Sequence, residues 1–351
     1  MARVVVIIFH PRPEPGAGAL TQLLAAIRDD NARRHAAAFE RIGARVEVSD
    51  EASDRSFGER LRRIAARLTP AGLVVLGSGS VPLATDADRR AFLAAAGGPA
   101  GRALANNRYS ADIVALAGAD RLADLPDLGS DNGLPRWLAG QGGFDVDDLA
   151  GRWRLQVDLD SPLDGLLIRR ADATARLRRA GIATDAIRSA LAGVAAAARD
   201  RACELVVAGR ASAAGLRWLE RSTASRTRAL IEERGFRTRT HDQRPVRSTL
   251  GLILDRDGPE ALGPRLAELG DAAVIDSRVL VAHRFGADER SWPSPEDRFA
   301  SDLLLPERIA DPWLRALTSS ARDSAIPVVL GGHSLVGPGL RLVFARGASW
   351  T

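Results

Sequence analysis

Residues 72–80 read Gly-Leu-Val-Val-Leu-Gly-Ser-Gly-Ser, an apolar run that ends in small polar residues. A short apolar run followed by a turn signal is typical of a strand that is buried on both faces. The run therefore predicts a central strand over 72–76, and it predicts a polar turn, Gly77 to Ser80, where that strand ends.

Outward from this strand, extended and helical patterns alternate in both directions. The first half of the chain predicts strands over 3–9, 44–48, 72–76, 112–116 and 153–159, and helices over 17–42, 55–67 and 86–96, the last with Thr85 as its N-cap. The second half predicts strands over 204–208, 249–255, 272–282 and 326–330, and helices over 213–234, 259–269 and 311–324. Strands that alternate with helices indicate βαβ units. We therefore expect an α/β fold with a mostly parallel sheet and flanking helices, together with a second α/β region.

A chain of 351 residues favours two domains over one. The patterns predict a first domain over 1–170, an Ala-rich helical connector over 171–202, and a region over 203–351 that is either its own domain or an extension of the first sheet. The Gly-, Asp- and Pro-rich segment 126–152 is either an active-site loop or a poorly ordered surface.

Composition excludes several classes of protein. The sequence has no apolar run of 18 residues, so we expect no membrane span. Its apolar start is too short for the core of a signal peptide, and its one cysteine, Cys203, forms neither an internal disulfide nor a cysteine metal site, so we expect a cytoplasmic protein. All 49 basic residues are arginines, spread among 44 acidic ones, which argues against a nucleic-acid partner despite the net charge of +5. The absence of lysine excludes Schiff-base chemistry and a Walker-type phosphate loop.

Residues 157–164 read Val-Asp-Leu-Asp-Ser-Pro-Leu-Asp. On a strand, Asp158 and Asp160 would share one face, and Mg²⁺ commonly relieves the repulsion between such carboxylates. Ser161, Pro162 and Asp164 then fit the N-cap, first and third positions of a helix. The alternative is a strand end with two solvated carboxylates before a well-capped helix.

The same string resembles the Asp-Val-Asp-Thr-Pro-Glu-Asp-Leu element of the GT-A-fold nucleotidyltransferases, which include the molybdenum-cofactor guanylyltransferases. The resemblance covers about residues 1–170 and implies a nucleotide-diphospho-sugar transferase-like fold. It implies that Asp158 and Asp160 hold Mg²⁺ on the nucleotide phosphates. It also implies a nucleotide contact at the central turn and first loop, that is, at Gly77, Ser78, Gly79, Ser80 and Arg12.

A second polar stretch, Asn106-Asn107-Arg108-Tyr109-Ser110, precedes the strand predicted at 112–116. Asn106, Asn107, Arg108 and Ser110 could bind a sugar, base or phosphate through directional donors. The alternative is a polar turn whose asparagines tolerate left-handed backbone geometry. For Ser130-Asp131-Asn132-Gly133 the plain turn is favoured.

In the second half, Gly331-Gly332-His333-Ser334-Leu335-Val336-Gly337 follows a clear strand. It is not a hydrolase nucleophile elbow, because Val336 stands where that motif requires glycine and no histidine follows. Backbone N–H groups that cradle an anion are one interpretation of this loop, and a tight turn is the other. The five histidines have no metal-ligand spacing, so each is expected at the surface or satisfied in the core.

Three functional hypotheses follow. The first is Mg²⁺-dependent transfer of a nucleotide onto a phosphate- or sugar-bearing small molecule. The second is a scaffold or ligand sensor of the same fold, because the first loop lacks lysine and residues 76–83 lack an acid. The third is an enzyme that acts on a phosphorylated small molecule through the loop at 331–337 with Asp276 and Arg278. Nothing in the sequence indicates an oligomeric state.

Overall fold

The computed structural model describes residues 4–50, 55–169, 171–235, 244–345 and 350. Contacts within the folded chain divide it into two compact units. The first unit comprises Met1–Pro15 and Ala25–Leu159, and the second comprises Gly16–Leu24 and Asp160–Thr351. The sequence predicts a boundary near residue 170 and a separate connector over 171–202, whereas these contacts place that connector within the second unit.

The first unit contains a six-stranded sheet. Its strands are β1 (Val4–Phe9), β2 (Arg45–Ser49), β3 (Gly72–Gly77), β4 (Arg102–Ala105), β5 (Ile113–Ala117) and β6 (Asp145–Asp148). They lie in the order β2-β1-β3-β5-β4-β6. All neighbours are parallel except β5, which is antiparallel to both β3 and β4. The predicted mostly parallel α/β sheet is confirmed.

Helices cover both faces of this sheet. They are α1 (Ala19–Arg41), α2 (Phe57–Leu68), α3 (Asp86–Ala96) and α4 (Leu134–Gly140). Successive residues of β1 alternate between the two faces. Val5 and Ile7 pack in one core with Leu61 of α2, whereas Val6 and Ile8 pack in another that contains aromatic residues of α1 and α3. Both faces of the central strands are therefore buried, as their continuous apolar sequence predicts.

Local signals set the starts of two of these helices. The hydroxyl of Ser56 accepts a hydrogen bond from the backbone N–H of Glu59 at 3.1 Å, before α2. Before α3, the backbone N–H of Thr85 donates to the Asp88 carboxylate at 2.8 Å, and the N–H of Asp88 donates to the Thr85 hydroxyl at 3.2 Å. This reciprocal pair is a capping box, so the predicted N-cap at Thr85 is confirmed.

The strand predicted over 153–159 is wrong. Trp153–Gln156 forms a 3₁₀ turn, and Asp158 makes only an isolated antiparallel bridge with Ser80. The Leu155 carbonyl accepts a hydrogen bond from the side chain of Asn106 at 2.7 Å instead of pairing with a strand. The argument that Asp158 and Asp160 share one face of a strand therefore does not apply.

The second unit contains a four-stranded, fully parallel sheet in the order β10-β9-β7-β8. Its strands are β7 (Glu204–Gly209), β8 (Arg226–Ile231), β9 (Ala272–Asp276) and β10 (Val328–Gly331). Its helices include α5 (Pro162–Leu167), α6 (Ala171–Arg179), α7 (Asp185–Ala197), α8 (Ala213–Ser222), α9 (Thr249–Asp257), α10 (Leu262–Leu269), α11 (Ser277–Phe285), α12 (Pro295–Asp302), α13 (Pro312–Arg322) and α14 (Leu340–Val343). Across the described ranges, no helix is both long and apolar enough to cross a membrane.

Three predictions in the second half are corrected. The helix predicted over 213–234 ends at Ser222, and its second part is β8, which pairs with β7. The strand predicted over 249–255 is α9, because the Ser248 hydroxyl caps it through the N–H of Gly251 at 3.3 Å. The strand predicted over 272–282 ends at Asp276, where α11 begins.

Candidate functional site

The strand order of the first sheet reverses at β1, since the chain passes to β2 on one side of β1 and to β3 on the other. In open parallel sheets, ligands bind outside the carboxyl ends of the strands at such a point. The carboxyl end of β1 pairs with that of β3 through Phe9 and Gly77, and the N–H of Ser78 donates to the Phe9 carbonyl at 2.7 Å. The predicted turn from Gly77 to Ser80 therefore lies at the point of reversal.

Two side chains of α1 hold this turn. Asn31 donates its side-chain amide to the carbonyl oxygens of Ser78 and Ser80 at 2.9 and 3.0 Å. The Nε2 atom of His35 lies 3.1 Å from the same Ser80 carbonyl. Because a carbonyl oxygen only accepts, Nε2 carries the proton, and burial lowers the pKa of His35 to about 3, which keeps the ring neutral. His35 is thus a neutral core histidine that is bonded through Nε2, whereas its Nδ1 atom is buried without a hydrogen-bond partner among the described residues.

The turn itself offers little side-chain chemistry. The Ser80 hydroxyl accepts a hydrogen bond from the N–H of Gly77 at 3.1 Å. Ser78 and Ser80 are only 2% and 3% exposed, and Gly79 is also buried, whereas Gly77 is partly exposed. Of the four predicted nucleotide contacts in the turn, Gly77 is the most accessible.

Asp158 lies beside the turn. Its neighbour Leu159 donates its backbone N–H to the Gly79 carbonyl at 3.1 Å and to the Asp158 Oδ1 atom at 2.9 Å. A Cβ atom added to Gly79 would lie 3.2 Å from that same oxygen. The family resemblance implies that the turn at Gly77–Ser80 contacts a nucleotide whose metal is held by Asp158. In the structure the turn and Asp158 lie next to each other.

Arg28 of α1 lies at the same place and was not identified from the sequence. Its Nε atom donates to the Leu159 carbonyl at 2.7 Å and lies 3.0 Å from a Cβ built on Gly79. Arg28 is half-buried, so its charge is partly shielded from water where it lies near Asp158. The sequence shows only that Arg28 belongs to an amphipathic helix, since its partner is 131 residues away.

The structure allows a test of whether these residues fit the implied magnesium ion. Among the described residues, no group of three or more His, Cys, Asp and Glu side chains is arranged to hold a metal. Mg²⁺ at phosphate-handling sites is usually bound by one or two carboxylates, and phosphate oxygens and water complete its coordination. The half-buried Asp158 fits a Mg²⁺ that arrives with a nucleotide. Asp160 is exposed, belongs to the second unit, and donates its backbone N–H to Asp164 at 2.9 Å.

The first loop differs from a phosphate-binding loop. Arg12 is exposed and forms an ion pair with Asp50, and its hydrogen bond lowers the pKa of that carboxyl. Within the second unit, the carboxylate of Glu296 accepts the backbone N–H groups of Leu20 and Thr21 at 2.9 and 3.0 Å. The first turn of α1 is thus capped by a protein carboxylate.

The buried side chain of Asn106 stabilises the turn that follows β4. It is fully buried, its amide nitrogen donates to the Asp112 carboxylate and the Leu155 carbonyl at 2.9 and 2.7 Å, and its side-chain oxygen accepts the N–H of Asp112 at 2.9 Å. These contacts join the carboxyl end of β4 to the start of β5. The side chain of Asn106 is therefore engaged within the protein.

The rest of this stretch is more accessible. Arg108 is exposed, donates to the Val146 carbonyl and has its Nε 3.8 Å from Asp148, at the end of the parallel strand β6. The Ser110 hydroxyl donates to the Asn132 side chain at 2.6 Å, which brings together two stretches that the sequence singled out separately. Asn107, Arg108 and Ser110 lie at the sheet edge where β4 and β6 end.

The second sheet reverses its strand order at β7, because β8 lies on one side of β7 and β9 on the other. At that point the guanidinium of Arg210, just after β7, forms a two-point ion pair with Asp276 at the end of β9, with distances of 2.6 and 3.0 Å. Both side chains are buried. Gly209 permits this approach, since a Cβ on it would lie 2.3 Å from that of Asp276.

The loop after β10 reaches the same edge. The Ser277 hydroxyl donates to the Gly331 carbonyl at 3.1 Å, and Arg278 binds the buried carboxylate of Asp302 through two nitrogens at 2.8 and 2.6 Å. The predicted loop turns into a helical segment from His333 onward, which is kinked at Gly337 within the turn Leu335–Gly339. His333 is exposed near Arg210 and Asp276. The third hypothesis named Asp276, Arg278 and this loop, and the sheet brings them together.

Comparisons with known proteins assign neither a family nor an activity to this chain. No family model matches the chain, and no curated protein matches it. Among solved structures, it is similar to a crystal structure from Desulfovibrio desulfuricans G20, described as a candidate nucleotide-diphospho-sugar transferase. The two share 14% identity at a TM-score of 0.38, over 51% of this chain and 95% of the other. Neither value is high enough to transfer an activity.

Proposed function

We propose that the first unit binds the phosphates of a nucleotide, as its Mg²⁺ complex, where β1 and β3 end, and that the protein transfers the nucleotide to a phosphate- or sugar-bearing small molecule. The observation that supports this most directly is the placement of Asp158 beside the Gly77–Ser80 turn at the point where strand order reverses. Arg28 adds a positive charge at the same place.

Each residue has a distinct proposed role. Asp158 holds Mg²⁺, which offsets negative charge that develops on the phosphates. Gly77 offers the accessible backbone of the turn, and Arg28 supplies a positive charge beside it. Asn107 and Arg108 contact the acceptor. Asn106 positions their turn, and the predicted metal role of Asp160 remains a prediction.

Nucleotide binding is tested by the thermal stability of the protein against a panel of nucleoside triphosphates and nucleotide sugars, with and without Mg²⁺. A ligand that binds only the native state at 100 times its dissociation constant stabilises by about 2.7 kcal/mol. We expect a Mg²⁺-dependent shift with one nucleotide. Asp158→Asn should abolish it, whereas Asp124→Asn, which changes an exposed acid on the same unit, should not. A shift that persists in Asp158→Asn would overturn the assignment.

Transfer is tested separately, by pyrophosphate release with the bound nucleotide and a panel of sugar phosphates. Release that requires both Asp158 and an acceptor supports the transferase. Nucleotide binding without release with any acceptor supports the ligand sensor instead, in keeping with the missing lysine and the missing acid at 76–83.

A second candidate function rests on the Arg210–Asp276 pair. A buried ion pair contributes little net stability, so its place where strand order reverses favours a binding role for the second unit. We propose a phosphorylated small molecule as its ligand, with His333 as a hydrogen-bonding group. Stabilisation by sugar phosphates without a nucleotide, lost in His333→Ala and retained in Asp158→Asn, is the expected result. No stabilisation by any of them excludes this function.

A further inference from the structure

A groove lies on the first unit between the edge strand β2 and helix α2. Of the site residues discussed above, only Asp50 lines it. Its volume is about 460 Å³, which is in the range of small-molecule sites. Polar and charged residues form most of its lining, which comprises Glu47, Val48, Ser49, Asp50, Arg55, Arg60, Arg63, Ile64, Ala66 and Arg67. Four arginines therefore face two acids.

The arginines of α2 lie along one side of the helix. Arg60, Arg63 and Arg67 are three and four residues apart, so they follow one another on the same face. Two of them have contacts that fix them: the guanidinium of Arg60 lies 4.8 Å from the centre of the Phe9 ring, and Arg67 pairs with Glu47. All three arginines line the groove.

Arg63, in the middle of this row, differs from its neighbours. It is exposed, and within the described ranges its side chain has no hydrogen bond or ion pair. Like charges three and four residues apart destabilise a helix. Arg63 therefore adds a cation without a counter-ion in the described ranges to a concave space that three further arginines also line.

We propose that this groove binds a small polyanion with adjacent phosphate groups, with Arg63 as its main contact. Arginine suits this chemistry because its planar guanidinium binds phosphate through two parallel hydrogen bonds. A nucleic acid would need a longer basic stripe, whereas α2 has only 12 residues and the arginines elsewhere are interspersed with acids. This site needs no metal and is independent of the proposed nucleotide site at Asp158.

The experiment is calorimetric titration of the full chain with inorganic tripolyphosphate in buffer that contains EDTA, at low and moderate salt. We expect one saturable site per chain, weaker at higher salt because the interaction is partly screened. Arg63→Ala should weaken binding about tenfold or more, corresponding to 1.4 kcal/mol or more. Arg63→Lys should give an intermediate affinity, since it keeps the charge and loses the planar fork.

Arg90→Ala is the matched control, because Arg90 is also an exposed arginine on a helix of the first unit and likewise has no hydrogen bond or ion pair within the described ranges. Equal weakening by Arg63→Ala and Arg90→Ala would show non-specific attraction and overturn the proposal. So would an absence of saturable binding, or binding of long single-stranded oligonucleotides alone. Asp158→Asn should leave tripolyphosphate binding unchanged, so failure of this proposal is distinct from failure of the nucleotide site.

Discussion

The guanidinium of Arg210 and the carboxylate of Asp276 join the carboxyl ends of β7 and β9 through two hydrogen bonds, in a place where neither side chain meets much water. Burial alone would raise the pKa of Asp276, but the charge and hydrogen bonds of Arg210 outweigh it, so the pKa lies below its ordinary value of 3.8. The Asp276 carboxylate is therefore ionised at neutral pH.

Removing one partner should be far more damaging than removing both. Asp276→Asn leaves the Arg210 charge buried without its counter-charge, and we expect it to lower the free energy of unfolding by about 3–5 kcal/mol. The double variant Arg210→Met/Asp276→Asn should recover much of this loss. Urea unfolding of the single and double variants measures the coupling, and additive losses would contradict an ion pair.

Gly79→Ala should disturb the candidate nucleotide site through crowding. The new methyl group would lie 3.0 Å from the Arg28 Nε atom and 3.1 Å from the Leu159 carbonyl oxygen. Overpacking of this kind typically costs about 1–3 kcal/mol. The loss should be smaller in an Arg28→Ala background, because one of the close contacts is then absent. Thermal unfolding of the unchanged protein, the two single variants and the double variant tests this prediction. An equal loss from Gly79→Ala with and without Arg28→Ala would argue against the Arg28 contact.

Two local helix-start signals were predicted correctly from the sequence. The capping box of Thr85 and Asp88 spans three residues, and the helix at Pro162 begins after Ser161 as predicted, with Asp164 accepting the N–H of Ser161 at 2.7 Å. Such contacts depend on spacing within one helical turn, so composition and order suffice to find them.

Contacts between distant parts of the chain could not be read in this way. Asn31 and His35 look like ordinary polar positions of a helix, and only the folded first unit shows that they face the turn at Ser80. The error at α9 has a different cause. Residues 249–255 are mostly apolar, and a short apolar run fits a buried strand and a helix face equally well until its cap at Ser248 is considered.

Asn106 and Asn107 should behave differently when each is changed to alanine. Asn106→Ala removes the side chain that binds the half-buried N–H of Asp112 and the buried carbonyl of Leu155, and we expect a loss of about 2–4 kcal/mol in unfolding free energy. Asn107 is half-buried, and its one side-chain hydrogen bond within the described ranges is from the N–H of Tyr109 at 3.0 Å, so Asn107→Ala should cost about 1 kcal/mol or less. Urea unfolding distinguishes the two, and a similar small loss for both would mean that Asn106 does not hold the turn.

The stability of the first unit should decrease as pH falls from 7 to 5 because of His35. In the folded protein the pKa of His35 is about 3, below its ordinary value of 6.5, so the unfolded chain binds a proton below pH 6.5 that the folded chain does not. The free energy of unfolding should therefore rise with pH, and His35 should account for a loss of about 2 kcal/mol between pH 7 and pH 5.

His35→Gln is the matched variant, because its amide can still donate to the Ser80 carbonyl but does not titrate. Urea unfolding at pH 7 and pH 5, together with hydrogen exchange at the Ser78 and Ser80 amides, measures the difference. The pH dependence should be about 2 kcal/mol smaller in the variant. If the unfolding free energy of both proteins has the same pH dependence, His35 binds its proton in the folded protein and the turn stays closed, which contradicts the prediction.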